Sequence, residues 1–186
     1  KPIHEIRWHG RAGQGVISVS RLLAQAALDE GKFAQAFPEF GAERLGAPVN
    51  GFTRISEQPV DIRSQIYTPE AVVVLDPTLV RSVNVGEGLL PGGHMLVNSQ
   101  EAPSELKARL KLGDANVYTV DVSRIASDVF RRAIYNTPML GALVKVLPVV
   151  SLASVEKATL DRFPGSMGKM NVDAMRKAHE QVIGPG

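Results

Sequence analysis

The sequence predicts an α/β fold: a doubly wound, mostly parallel sheet with a β-hairpin insertion and extra C-terminal helices. Three observations predict it. An apolar strand over residues 3–8 runs straight into the glycine loop Gly10-Arg11-Ala12-Gly13-Gln14-Gly15, and an amphipathic helix follows at once. A short continuous apolar run, Ala71-Val72-Val73-Val74-Leu75, ends in Asp76-Pro77, the pattern of a strand buried on both faces of a parallel sheet. After Val120 the apolar residues recur with the i, i+3, i+4 spacing of packed helices. A strand, glycine loop and helix leading into buried strands is the Rossmann-like arrangement.

Each element has its own warrant. The first helix spans residues 14–30, with Val16, Val19, Leu23, Ala26 and Ala27 on one face and Gly31 closing it. Residues 33–37 read as a second strand. They complete a βαβ unit, which makes parallel strands with a right-handed crossover. Residues 49–55 read as a strand that pairs with residues 60–66 as a hairpin around Glu57-Gln58-Pro59. Residues 94–98 and 116–120 supply two more strands, with a helix near residues 104–110 between them. Val122, Ile125, Ala126, Val129, Phe130, Ala133 and Ile134 form the next helix, capped by Ser123 or Asp121. Asn136-Thr137-Pro138 interrupts it and starts another, with proline in its favoured first turn. Ser151 opens a further helix, and residues 172–183 form the last. No repeat, low-complexity tract or linker divides the chain, so residues 1–186 are expected to form a single domain.

Composition narrows the function. At 44% hydrophobic and 22% charged residues the chain is ordinary for a soluble domain. Its 21 basic and 19 acidic residues include no basic run, which argues against a nucleic-acid partner. There is no cysteine, which excludes disulfides and any cysteine-ligated cluster or zinc site, and fits a cytoplasmic location. His4, His9, His94 and His179 are scattered without metal-ligand spacing, so no metal site is expected. The longest apolar stretch, near residues 140–152, is broken by Lys145, Pro148 and Ser151, so no membrane span is expected. Neither a GxSxG elbow nor a P-loop is present, and no catalytic residue is assigned to this chain.

Three constellations stand out. The glycine loop leads into a helix whose first N–H groups favour phosphate. Ser18 stands where a third glycine would complete the dinucleotide fingerprint, and no acidic residue follows about 20 positions on to hold an NAD ribose. The plain alternative is a tight strand-to-helix turn. The second is the stiff loop over residues 39–48, where Arg44 reads either as an anion clamp or as half of a local Glu43–Arg44 balance. In the third, Asn136-Thr137-Pro138-Met139-Leu140-Gly141-Ala142, Asn136 and Thr137 read as helix caps, with ligand contact by Asn136 the alternative. Gly141 permits close helix packing. Asp76 either belongs to a site or caps the next helix.

Taken together, the glycine loop, the segment Phe40-Gly41-Ala42-Glu43-Arg44-Leu45-Gly46-Ala47-Pro48 with Phe52-Thr53-Arg54-Ile55 after it, and the Asn136 to Ala142 motif resemble the gamma subunit of the pyruvate/2-oxoacid:ferredoxin oxidoreductases. Ala12 stands where that family usually has glycine, and Leu45 where a second arginine is common. The resemblance implies a gamma-type catalytic domain in a multi-subunit enzyme that converts a 2-oxo acid and coenzyme A to acyl-CoA and carbon dioxide. Thiamine diphosphate with magnesium, and iron–sulfur clusters, then belong to partner subunits, with ferredoxin as acceptor. This chain would bind coenzyme A and dock the catalytic subunits. Gly10, Gly13 and Gly15 would shape the loop for its pyrophosphate, Gln14 would add an amide contact, Arg11 or Arg44 would hold a phosphate, and Asn136 would reach the pantetheine or adenine. Two alternatives stay open. One is an aryl-glyoxylate (phenylglyoxylate-type) dehydrogenase subunit whose complex passes electrons to NAD through an FAD-bearing accessory subunit. The other is a scaffold subunit with no ligand.

Overall fold

The computed structural model describes residues 3–39 and 44–185. Among these, six strands form one sheet: β1 (Ile3–Arg11), β2 (Phe33–Pro38), β3 (Pro48–Ser56), β4 (Ala71–Val74), β5 (His94–Asn98) and β6 (Asn116–Val120). The helices are α1 (Val16–Asp29), α2 (Pro103–Leu110), α3 (Val122–Phe130), α4 (Asn136–Val146), α5 (Leu152–Arg162) and α6 (Ser166–Gln181), with a short 3-10 helix at Pro77–Arg81. The strand order is β2-β3-β1-β4-β5-β6. Strands β1, β4, β5 and β6 run parallel, while β3 is antiparallel to both β1 and β2. The sheet is therefore mixed, and the fold is α/β.

The βαβ unit exists with a difference. β1 and β2 run the same way, but β3 is inserted between them. The hairpin also forms with a different partner: β2 pairs with β3, and residues 60–66 make no strand. The reason lies in Arg54, which is 1% exposed on β3. Its guanidinium meets Glu5 at 2.7 Å and donates to the carbonyls of Ser64 at 2.6 Å and Gln65 at 3.2 Å. Gln35 donates in the same way to the Ile62 carbonyl at 3.0 Å. Side chains thus satisfy carbonyls that a strand partner would otherwise need to reach.

Both faces of the sheet are covered. On one, Ile6, Trp8, Ala71 and Val73 pack with α1, α3, α4, α5 and α6. On the other, Val72, Val74, Met95 and Val97 pack with Leu79, Val85 and Leu106, the last from α2. This alternation is why β4 reads as an unbroken apolar run. The first face is stitched by Trp8, which donates to Thr53 Oγ1 at 3.1 Å, while the Thr53 hydroxyl donates to the Ser20 carbonyl at 2.9 Å.

α4 is buried from Thr137 through Val144, so it is the hub of the helical layer. A Cβ on Gly141 would run into the Met175 backbone, and its absence lets α6 lie directly on α4. α3 stops at Phe130 because Arg131 turns into the left-handed region, φ 56°, and this leaves Ala133 and Ile134 outside the helix. Asp121 caps α3 by accepting from the Arg124 N–H at 3.0 Å, and Ser151 caps α5 by accepting from Ser154 N–H at 3.1 Å. Among the described residues, no helix is long and apolar enough to cross a membrane.

Candidate functional site

The glycine loop has two sides, and they differ in chemistry. The side facing the strand ends is filled. Gln14 folds back, so that its Oε1 accepts from the Arg11 N–H at 2.7 Å and its Nε2 donates to Asp76 Oδ2 at 2.7 Å. Arg11 donates through Nη2 to Thr78 Oγ1 at 2.9 Å and through Nη1 to the Gly46 carbonyl at 3.1 Å, with its Nε 3.5 Å from Asp76. Asp76 Oδ1 accepts from the N–H and hydroxyl of Thr78 at 2.8 and 2.6 Å, so it also caps the 3-10 helix. Burial works to raise the Asp76 carboxyl. The Thr78 and Gln14 hydrogen bonds and the Arg11 charge outweigh it and hold the group below its ordinary range. This network occupies the crevice past β1 and β4 where open α/β sheets usually seat a dinucleotide.

The other side, facing α4 and α6, is open. Gly13 and Gly15 take left-handed backbone angles, φ 95° and 75°, that swing the start of α1 toward it. The Gln14 N–H is spent on the Arg11 carbonyl at 3.0 Å. The N–H groups of Gly13, Gly15, Val16, Ile17 and Ser18 have no partner among the described residues. A cleft of about 330 Å³ lies against residues 13–15. Arg132 from the turn before α4 and Asn136 at its start border it, with Phe163 at the end of α5 and Met167 and Asn171 of α6.

Three helix amino ends therefore meet at one cleft. None has a side-chain cap, and none carries an acidic residue in its first turn. Among the described residues no carboxylate lines the cleft, and Arg132 adds a positive charge. Elsewhere α3, α5 and the 3-10 helix are capped by side chains, while α2 has no side-chain cap but opens on Pro103 and carries Glu105 in its first turn. At α4 the Thr137 and Met139 N–H groups are already taken and Pro138 has none, so the free donors come chiefly from the start of α1; with Arg132 they give the cleft chemistry for an anion. The walls are held by neighbours: the Thr137 hydroxyl donates to Asn171 Oδ1, whose amide donates to the Met167 carbonyl at 2.8 Å.

The residues singled out in the sequence separate on this map. Gly13, Gln14, Gly15 and Asn136 line the cleft. Asn136 Nδ2 donates to the Gly15 carbonyl at 3.3 Å and its Oδ1 accepts from Thr137 N–H, so it braces the loop against α4. Gly10 serves packing, since a Cβ there would sit 2.5 Å from Val16 Cγ2. Arg11 is turned to the filled side. Arg44 is exposed and lines no part of the cleft, while Gly41 and Glu43 lie outside the described residues. Sequence reasoning missed Arg132, Phe163, Met167 and Asn171. Their only signal was a turn between two helical patterns.

The model of the pyruvate ferredoxin/flavodoxin oxidoreductase family matches residues 5–181. The common gamma subunit of the pyruvate/ketoisovalerate oxidoreductases of Thermococcus litoralis is 46% identical over 179 residues, covering 96% of this chain and 97% of that one. The crystal structure of pyruvate oxidoreductase subunit PORC from Thermotoga maritima superposes with a TM-score of 0.88 at 41% identity, covering all of both chains. A 2-oxoglutarate:ferredoxin oxidoreductase from Magnetococcus marinus, solved with 2-oxoglutarate, coenzyme A and succinyl-CoA bound, shares the fold at TM-score 0.79 and 20% identity, over 97% of this chain and 31% of that one. The chain belongs to the pyruvate ferredoxin/flavodoxin oxidoreductase family, as its gamma subunit. It is one component of a pyruvate/2-oxoacid ferredoxin oxidoreductase complex.

Proposed function

We propose that this subunit binds coenzyme A in the cleft between the glycine loop, α4 and α6, and presents its thiol to catalytic subunits docked nearby. The observation that carries the reading is the meeting of the free N–H groups at the start of α1 with Arg132 at a cleft that has no carboxylate among its described lining residues. The pyrophosphate would lie against the free N–H groups of Gly13, Gly15 and Val16, with Arg132 as counter-charge. Phe163 and Met167 would take the adenine. The pantetheine arm would leave past Gly13 and Leu45, whose side chain is 92% exposed. Gln14 and Arg11 hold the loop's shape, and Asn136 braces it from α4. That a fold-mate was solved with coenzyme A bound agrees with this ligand.

The chain's contribution is positioning, which accelerates a reaction with no chemical group supplied. Having no cysteine, it offers no ligands for an iron–sulfur cluster. Thiamine diphosphate and clusters in the partner subunits would supply decarboxylation and electron removal, with ferredoxin as acceptor. The relatives carry the names of pyruvate and ketoisovalerate, which does not favour the aryl-glyoxylate alternative. A cytoplasmic setting suits such a complex.

Calorimetric titration of the assembled complex with coenzyme A tests the reading. Arg132→Ala is expected to weaken binding about tenfold, the value of one charge-assisted contact. Gly13→Val places a branched side chain at a φ of 95° beside the loop's free donors and is expected to weaken binding further. Unchanged affinity in both variants, each folded and assembled, would reject the cleft as the coenzyme A site.

A further inference from the structure

A second cleft of about 470 Å³ lies between α1 and α5. Ile17, Leu22 and Ala158 form part of its lining, with Arg21 from α1 and Arg162 from α5. The linings of the two clefts share no residue but meet in the chain at two places. Gly15 borders the first and Ile17 the second, two residues on, while Phe163 borders the first and its neighbour Arg162 the second. The Arg162 guanidinium lies 5.0 Å over the Phe163 ring centroid, so a residue of one lining stacks on a residue of the other. Arg21 follows Val16 by five residues, about 7.5 Å along the helix.

The charges here are uncommitted. Neither Arg21 nor Arg162 has a carboxylate partner among the described residues, whereas Arg54, Arg109, Arg124 and Arg176 are all paired. Asp161 also lines the cleft, but its carboxylate already accepts from Lys157 at 3.0 Å. Two free guanidinium groups over a partly apolar floor suit an anionic group attached to a ring, one sugar away from whatever the first cleft holds.

We propose that the α1–α5 cleft seats the 3′-phosphate of coenzyme A, with Arg21 and Arg162 as its cation partners. This rests on the coenzyme A reading and adds the feature that separates the coenzyme from its dephospho form. A phosphate monoester offers acceptors to both guanidinium groups, and two such contacts set a preference that the glycine loop alone cannot make.

The test compares coenzyme A with dephospho-coenzyme A, titrated calorimetrically into the complete multi-subunit complex. The unaltered complex is expected to prefer coenzyme A by about tenfold or more. Arg21→Ala and Arg162→Ala are each expected to shrink that preference. The double variant is expected to bind both compounds alike. The proposal is overturned if the unaltered complex binds the two equally or if the double variant keeps the preference. Failure of the double variant to assemble also overturns it, since the cleft would then be a subunit interface. If the unaltered complex binds neither compound, the coenzyme A reading itself has failed.

Discussion

At Gly141 a single hydrogen atom decides how closely two helices lie. The position is in mid-helix, where alanine would ordinarily gain up to about 1 kcal/mol over glycine. Here the added methyl would collide with the Met175 backbone, which cannot rotate away as a side chain would. We expect Gly141→Ala to destabilise the fold by about 1–3 kcal/mol, read as a lower urea midpoint with an unchanged slope. A neutral or stabilising result would show that α6 is free to back away. The requirement for a small residue at 141 was readable from the sequence. The roles of Arg11 and Gln14 were not. Both sit in the glycine motif, yet both side chains turn toward Asp76 and Thr78, residues about 60 positions away whose placement depends on the strand order.

At the scale of elements, Asn98 joins three of them. It is 1% exposed at the end of β5. Its amide donates to the Leu75 carbonyl past β4 and to Ser123 Oγ, and its Oδ1 accepts from the Val122 and Ser123 N–H groups that open α3. Asn98→Ala would leave several buried groups unpaired, at a cost on the order of 3 kcal/mol. Chemical denaturation reads this directly; a loss under about 1 kcal/mol would mean that water replaces the amide. The helices were legible because their periodicity is local: the α1 stripe and the Ser151 cap could be read from a few residues each. β3 shows the limit. Its own residues mark it as a strand, but its choice of β1 and β2 over residues 60–66 depends on where the Arg54 side chain goes. The cleft was half legible for the same reason. Residues 13–15 announce themselves, while Arg132, Phe163 and Met167 join them only through the packing of α4 and α6.

At the scale of the whole molecule, His9 couples stability to pH. It is buried beside Arg7, whose Nε donates to its Nε2 at 2.8 Å. Burial first, and the Arg7 charge second, push its pKa down to about 3, from about 6.5 in the unfolded chain. Below pH 6.5 the unfolded state therefore takes up a proton that the folded state refuses. Stability is full above that pH and falls as the pH drops toward 3, by up to about 1.4 kcal/mol per unit. His94, also lowered by burial, adds to the same limb. The Asp76 contribution is lost only in the carboxylate range, so urea unfolding at pH 6.5 and pH 5 isolates the histidines. His9→Gln keeps an acceptor for Arg7 and is expected to flatten most of that slope. An unchanged slope would place its origin elsewhere.

The locked carboxylate at position 76 has a consequence for how such a scaffold changes trade. A hydride-carrying nucleotide laid across the tips of β1 and β4 would have to evict Asp76 together with Gln14, Thr78 and Arg11, all of which hold one another. Supplying the missing ribose acid near β2 would not be enough. Conversion would require emptying that knot first, at a loss of rigidity where the first strand meets its helix. Kinship of architecture with dehydrogenases thus carries no kinship of berth.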